Sequence, residues 1–481
     1  MNIASLIILS VLLVIAIVDK LQKKHTLRSN FPLIGWGRYF IESFGPPLRQ
    51  YIVASDRDEL PFNRVQRRYI YASAKKQNNL QGFGTDADFK ATGHFFIKHS
   101  AFPYRGKSPY NEKVLPARKI VGLSNSRRNP YQLPSIINIS GMSYGALSAK
   151  ATEANNRGAK LAGCYHNTGE GGFTDYHTYG DTVFQLGTAY YGARNQDGGF
   201  DIDDLDWLIF CNPNIKMIEI KLSQGAKPGK GGVLPGSKVT KEIAKFRGIG
   251  VGEDSVSPGY HSEFSNEEEL VEFIELIAER TGLPVGIKSA VGDESFWNNL
   301  VEIMLKTKKG PDFITIDGGE GGTGAAPVSF ADHVSLPLDI AFSKVYKIFR
   351  DAALAHHITF IASGKLGFPA NVVKIMAMGA DAVNLGREVL IAEGCLQTQK
   401  CHEGNCPVGI ATQKKYLQSG FNVDDKAQRV ANYITTLRKD VLDLAHACGY
   451  EHPSEFKLDD IVINVGNGQT DTLRYYYKKI V

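Results

Sequence analysis

The sequence predicts an α/β protein: a (β/α)8 TIM barrel with an N-terminal transmembrane anchor and helical extensions. Three observations lead there. From about Pro134, short β-branched runs alternate with helical stretches, and each run gives way to a loop bearing Gly, Ser or Asn. Continuous apolar strands of this type belong to a parallel sheet covered on both faces. About eight such units over some 270 residues match a barrel whose usual size is about 250 residues. A doubly wound open sheet would show Gly-x-Gly-x-x-Gly after its first strand, and Ser140-Gly-Met-Ser-Tyr-Gly145 does not fit that pattern.

Residues 1–30 form the anchor and its basic flank. Ile3 to Val18 is apolar apart from Ser5 and Ser10, at the short limit for a spanning helix. Lys20, Lys23, Lys24 and Arg28 all follow it, so the positive-inside rule keeps the body in the cytoplasm. The expectation is a single-pass cell-membrane protein, with Phe31, Trp36, Tyr39 and Phe40 at the interface. Residues 31–130 are a mixed, polar pre-barrel extension, read as helix and irregular chain without a site. Residues 131–413 hold the barrel. Its strands include Ile136–Ile139, Lys216–Lys221, Pro284–Lys288, Asp312–Ile316, Ile358–Ala362 and Ala382–Leu385. Asn266 to Arg280 and Pro369 to Met378 are amphipathic with a helical period. Residues 414–481 are a C-terminal helical tail, with one long helix from about Asp424 to Ala447.

Composition bounds the function. With 43% hydrophobic and 22% charged residues, the chain has ample core. A net charge of +5 over 481 residues, without a basic stripe interleaved with aromatics, gives no argument for a nucleic-acid partner, and none is expected. Six cysteines are too few for a disulfide framework and fit a reducing compartment; Cys164, Cys211 and Cys448 read as buried thiols.

Strand ends carry the chemistry in a barrel, and the loops after strands seven and eight bind phosphate. Here those loops hold Ser363-Gly364-Lys365 and Gly386-Arg387, a mononucleotide phosphate site for which FMN is the commonest occupant. Lys288 ends a buried strand, where a lysine needs a reason. Facing a flavin it would stabilise the reduced ring; otherwise it pairs with an acid such as Glu219 or Glu320. Two loops set glycines around an acid, Asn167-Thr-Gly-Glu170-Gly-Gly172 and Asp317-Gly-Gly-Glu320-Gly321-Gly322-Thr323-Gly324. They clear space for something large to lie against backbone. A third, Gln224 to Gly232, is basic and suggests an acidic substrate.

Cys395, Cys401 and Cys406 fall within twelve residues and end in Cys-Pro. Soft thiolates at this spacing suit an iron–sulfur cluster with one corner missing, or zinc with His402 as fourth ligand.

Taken together, Gly141-Met142-Ser143-Tyr-Gly145, Asn167 to Gly172, Gln224 to Gly229, Gly321 to Gly324 and Cys395-x5-Cys401-x4-Cys406-Pro-Val-Gly-Ile-Ala-Thr-Gln413 resemble the FMN-binding synthase domain of glutamate synthase. The resemblance covers about residues 131 to 413 and points to the stand-alone, large subunit-like branch. It implies FMN, a 3Fe-4S cluster on Cys395, Cys401 and Cys406, and reductive amination of 2-oxoglutarate through 2-iminoglutarate to L-glutamate. It also implies that electrons pass from cluster to flavin, that Lys227 and Arg247 hold substrate carboxylates with Glu170 nearby, and that Met142 and Ser143 pass beside the ring. Four departures accompany it. No glutaminase domain precedes the anchor, so the expectation is free ammonia or a separate glutaminase subunit. No counterpart of the family's C-terminal β-helical domain is expected. Val233 stands where the glutamate synthases carry a glutamine that contacts 2-oxoglutarate, and Ser257 to Ser262 replaces a proline-rich, double-histidine stretch. The electron donor is expected to be ferredoxin-like or a membrane carrier, because no Rossmann fingerprint is visible. Two other readings are an FMN barrel oxidising a 2-hydroxy acid, which lacks its histidine base here, and a membrane-bound electron-transfer or redox-sensing subunit, which Val233 favours.

Overall fold

The computed structural model describes residues 3–51 and 57–480. Eight parallel strands close into a barrel, hydrogen-bonded in chain order, with the last pairing with the first. They are β1 (Ile137–Ile139), β2 (His166–Asn167), β3 (Thr182–Leu186), β4 (Ile215–Lys221), β5 (Val285–Ser289), β6 (Phe313–Asp317), β7 (Thr359–Ser363) and β8 (Ala382–Leu385). Nearly all their residues are buried, as the unbroken apolar runs require. The sequence pattern singled out six of these strands to within a residue or two. It passed over β2, which has two residues and no apolar run, and β3.

The covering helices start and stop where the side chains dictate. The helix Glu267–Thr281 is capped by Asn266, whose side chain accepts the N–H of Glu269 at 2.9 Å, and ends at Gly282 with φ +76°. The helix Val423–Ala447 starts at Asn422 in the same way. This long helix packs on Ala149–Ala162 and on Arg64–Ala74. It also braces the barrel mouth: Tyr433 donates to the carbonyl of Gly367, just past β7, at 2.8 Å. Asn432 donates to the carbonyl of Ala74 at 3.0 Å.

The tail is not helical throughout. Ile461–Gly466 and Gln469–Thr472 form a hairpin that accepts Phe95–Ile97 of the pre-barrel extension as a third strand. Short strands with only two fully buried side chains in the first hairpin arm leave a weak period-2 signal, which reads as a polar tail. Cys211 corrects another expectation. It is exposed at the end of the helix Ile202–Cys211, while Cys164 is buried and Cys448 is half-buried.

The N-terminal helix Ile3–Leu21 stands apart from the core, with its apolar side chains exposed. Only its far end is fastened. Asp19 is fully buried and accepts from Arg28 Nε at 2.8 Å, the N–H of Leu33 at 3.1 Å and Trp36 Nε1 at 2.9 Å. Arg28 also stacks on Trp36, 3.8 Å from the ring centroid. One carboxylate thus fixes the chain reversal that follows the apolar helix.

A buried ion network holds the pre-barrel extension to the barrel. Arg127 Nε donates to both oxygens of Asp312 at 3.0 and 2.9 Å, and its terminal nitrogens grip Glu275 at 2.8 and 2.7 Å. Asp312 in turn accepts the N–H of Val285 at the start of β5. Arg127→Met leaves that carboxylate buried and uncompensated, so it should cost about 3–5 kcal/mol of stability. Adding Asp312→Asn should recover part of the loss. Chemical denaturation measures both, and a single variant as stable as the parent contradicts the assignment.

Candidate active site

The barrel strands carry a ladder of polar side chains inward and upward to the C-terminal mouth. Deepest is Glu219 on β4, which is 1% exposed. Its Oε1 accepts from Asn167 at 2.8 Å and Gln185 at 2.7 Å, and its Oε2 accepts from Thr315 at 2.7 Å. One carboxylate thereby ties β2, β3, β4 and β6 together, which satisfies the rule that a buried charge must be fully hydrogen-bonded.

Two residues on, at the rim, Lys221 faces the same way. It is buried and contacts Glu170 Oε2 at 2.8 Å and Gln224 Oε1 at 2.7 Å. Glu170 comes from the loop after β2. Burial pushes its carboxyl up, but Lys221, followed by Lys227 and Arg247, overcomes this and holds it below the ordinary carboxylate value. The glycines around it make room. A Cβ at Gly187 would lie 2.7 Å from Glu170 Cβ, and one at Gly232 would lie 2.8 Å from its Oε1.

Lys227 is buried, and its ammonium has one long contact, to the carbonyl of Gly231 at 3.4 Å. Burial lowers its pKa, with Glu170 opposing. Arg247 ends the helix Lys241–Arg247 and is fixed by Ser255 Oγ at 2.8 Å, the carbonyl of Tyr144 at 3.1 Å and the face of Tyr191 at 5.0 Å. Its Nε is buried with no protein partner among the described residues. The sequence-predicted trio Lys227, Arg247 and Glu170 therefore does converge. Lys221, which completes it, was passed over because a lysine at the end of a strand gave no pattern beyond the one used for Lys288.

Lys288, the penultimate residue of β5, is in register with Lys221. Its partner is neither Glu219 nor Glu320 but Asp317, at 3.7 Å. The reason is geometric. Asp317 ends the adjacent strand β6, Glu219 already accepts three hydrogen bonds, and Glu320 turns away to accept the N–H of Leu338 at 2.9 Å. Asp317 also accepts the N–H of Gly225 at 2.9 Å, which draws the basic loop over the mouth. Gly321, Gly322 and Thr323 lie in a largely exposed stretch, with Gly322 against the Arg387 side chain. Met142 and Ser143 lie in the loop after β1, packed backbone to backbone on Gly169: a Cβ there would approach the Ser143 nitrogen to 2.5 Å.

The loops after β7 and β8 sit side by side. Gly364 has φ +144° and Lys365 φ +55°, and Gly386 opens the helix Arg387–Glu393. Lys365 and Arg387 both stand over the ring of Phe62, at 5.4 and 5.1 Å. Burial and then the neighbouring Arg387 lower the Lys365 pKa, so two cations repel at the place predicted for a phosphate. An anion there would relieve the repulsion, and that chemistry fits the group. Phe62 belongs to the pre-barrel extension read as having no site. No local pattern marks it; only its burial and its contacts do.

The cysteine loop lies against the same extension. Tyr71 donates to the carbonyl of Cys395 at 2.5 Å, and Gln397 accepts the N–H of Phe62 at 3.0 Å. Burial pushes the Cys395 thiol up to about 12, with Cys406 and Cys401 adding to the shift, so the three thiols are near enough to sense one another. Burial also raises Cys401, again with Cys406 contributing. The N–H of Gln397 points at Cys395 Sγ at 3.4 Å, and Lys238 donates to the carbonyl of Cys401 at 2.6 Å. The first is a donor that suits a thiolate ligand, and the second fixes the backbone of the cysteine loop. Among the described residues no group of three or more His, Cys, Asp or Glu side chains is arranged to hold a metal ion. His402 is exposed and faces Glu403 at 3.7 Å rather than the thiols.

A closed parallel barrel with charged, glycine-lined loops gathered at its C-terminal mouth defines a (β/α)8-barrel enzyme. The family model described as "Conserved region in glutamate synthase" matches residues 107–451. The chain is 34% identical to the glutamate synthase large subunit-like protein YerD of Bacillus subtilis over 94% of its length and 93% of that protein. It is 34% identical to the archaeal glutamate synthase [NADPH] of Methanocaldococcus jannaschii over 72% of its length, spanning 67% of that protein. A crystal structure of mandelate oxidase overlaps 75% of the chain and 84% of its own at 14% identity, with a TM-score of 0.40. The chain belongs to the glutamate synthase family and is an oxidoreductase of that type.

The position of Glu170 sets a pH dependence. Its folded-state pKa lies below its ordinary value of 4.5, so it contributes stability that is present above that value and lost as pH falls through the folded one. Glu170→Gln should flatten the acid limb of denaturation midpoint against pH below about 4.5. A limb of unchanged steepness contradicts the pairing.

Proposed function

We propose that the protein is a membrane-anchored FMN and iron–sulfur oxidoreductase that reductively aminates 2-oxoglutarate to L-glutamate. The carrying observation is the charge at the barrel mouth. Buried Lys221, Lys227, Arg247 and Lys288 and half-buried Lys365 and Arg387 gather there against Glu170, Asp317 and, beside Lys365, Glu388 and Glu320. Cations in excess of acids at a largely buried mouth call for anionic ligands. A phosphate at the last two loops and a dicarboxylate beside Lys227 and Arg247 answer that excess.

The overall reaction joins 2-oxoglutarate, ammonia and two electrons with their protons, giving glutamate and water. FMN, when bound, supplies the two-electron redox chemistry that no side chain of the site offers. Ser363, Gly364, Lys365, Gly386 and Arg387 would hold its phosphate, with Met142, Ser143, Lys288 and the Glu320–Thr323 loop around the rest. Cys395, Cys401 and Cys406 would hold a 3Fe-4S cluster. Lys227 and Arg247 would orient the two carboxylates by charge-assisted hydrogen bonds, which fixes the reacting carbon in place. Glu170 keeps the three cations around it from repelling one another before substrate arrives. The basic loop from Gln224 to Gly232, tied to Asp317, keeps water from the mouth. Ammonia would enter free or from a glutaminase subunit, and electrons from a ferredoxin-like donor or a membrane carrier. The exposed helix Ile3–Leu21, long and apolar enough to cross a membrane, supports the single-pass anchor with a cytoplasmic body.

Val233 favours a second reading, an electron-transfer or redox-sensing subunit or a synthase for another keto acid. It is 46% exposed in a short antiparallel pair with Val256 and offers no hydrogen bond to a carboxylate.

The two readings separate on substrate binding. Titration of the purified, flavin-loaded protein with 2-oxoglutarate should show saturable binding at least about tenfold tighter than pyruvate, the loss of one charge-assisted contact being about 1.5–3 kcal/mol. Lys227→Met should erase most of that preference while leaving flavin content unchanged. Equal, weak binding of both acids would support the second reading.

A further inference from the structure

A cavity of about 320 Å³ lies at the root of the N-terminal helix; Gly394, Leu396 and Val408 of the cysteine loop form its inner wall, while the loops after β2, β4, β6 and β7 stay clear of it. Its volume is at the small end of the range for ligand pockets. Lys24, Arg64, Arg68, Lys75, Lys426 and Arg429 line it, contributed by the basic flank of the anchor, the helix Arg64–Ala74 with its end, and the helix Val423–Ala447.

The charge in this cavity is one-sided. Among the described residues the one acid in its lining is Glu42, and Glu42 is engaged by Arg38 at 2.8 Å. Asp425 answers Arg429 at 3.0 Å and Lys426 at 3.6 Å, and buried Glu393 also faces Lys426, but neither acid lines the cavity. The strain appears in the neighbours. Partial desolvation at the cavity rim, then Arg429, lowers the pKa of solvent-reaching Lys75, with Glu42 and Asp425 opposing. Burial, then Arg28, Lys75, Arg429 and Lys426, lowers that of His25, which also lines the cavity. Arg67 is already paired, with Glu59 at 2.5 Å, and serves the fold.

Location narrows the ligand. Lys24 follows the exposed apolar helix by three residues. If that helix spans a bilayer, the cavity lies at the depth of the lipid headgroups on the basic side, where Lys and Arg meet acidic phospholipids. We infer that this cavity is a binding site for a phosphate-bearing anion, the chemistry of an acidic phospholipid headgroup or of free phosphate. The lipid source rests on the anchor reading above; the anion site itself does not.

The full chain in neutral detergent is titrated calorimetrically with dihexanoylphosphatidic acid, with inorganic phosphate and with dihexanoylphosphatidylcholine. Saturable binding of a phosphate-bearing probe, no binding of the zwitterion, and a loss of about tenfold or more in the Lys24→Gln/Lys75→Gln variant are expected, because two charge-assisted contacts are removed. Both side chains are exposed at the cavity, so the variant should fold; Arg68→Gln is a second variant with the same expected direction. Phosphatidic acid binding at least about tenfold tighter than inorganic phosphate identifies a lipid, and equal affinities identify a free phosphate; either supports the site. No saturable binding of either phosphate-bearing probe, or binding unchanged in both variants, overturns it. Flotation on pure phosphatidylcholine vesicles tests the anchor separately, because neutral vesicles retain the apolar helix without help from the cavity.

Discussion

The structure turns on the cost of burying charge. Taking an ion out of water is repaid only when its partners are close and complete. At the barrel mouth that constraint is met from the bottom upward. Glu219 is saturated by three neutral donors from three other strands, so it locks the barrel without drawing on the cations above it. Lys221 can therefore reach up to Glu170, and Lys288 is left to Asp317. What remains is an excess of positive charge on side chains whose positions are already fixed, which is the condition for preorganised recognition of anions.

The extensions are part of the same arrangement rather than decoration. Phe62 lies beneath both Lys365 and Arg387, Tyr71 holds the carbonyl of Cys395, and Asn432 joins the helix bearing Tyr71 to the long C-terminal helix. The N-terminal flank and the C-terminal tail thus converge behind the cysteine loop and the phosphate loops.

Much of this was legible in the sequence, for physical reasons that differ from residue to residue. Six barrel strands stood out because a doubly covered parallel strand is apolar without interruption. The loops at Glu170, Lys227, Ser363 and Gly386 stood out because glycine clusters beside a charge are rare outside ligand sites. The partner of Lys288 was misjudged because pairing depends on strand neighbours, and Asp317 was hidden among the glycines that follow it. Lys221 and Phe62 were invisible for a deeper reason. One looks like any strand-end lysine, and the other is joined to the site only by contacts between residues some 300 positions apart. The tail hairpin was missed because its strands are short and half-exposed, which leaves almost no alternation to read.

The most direct measurement is anaerobic flavin reoxidation. The purified protein is reduced chemically, and its absorbance is followed after adding 2-oxoglutarate with ammonium, and in parallel with glutamine. The account predicts reoxidation coupled to glutamate formation with ammonium, and none with glutamine alone unless a glutaminase subunit is supplied. A flavin that stays reduced with both nitrogen sources contradicts the synthase assignment. The mouth would then serve a different keto acid, or electron transfer alone.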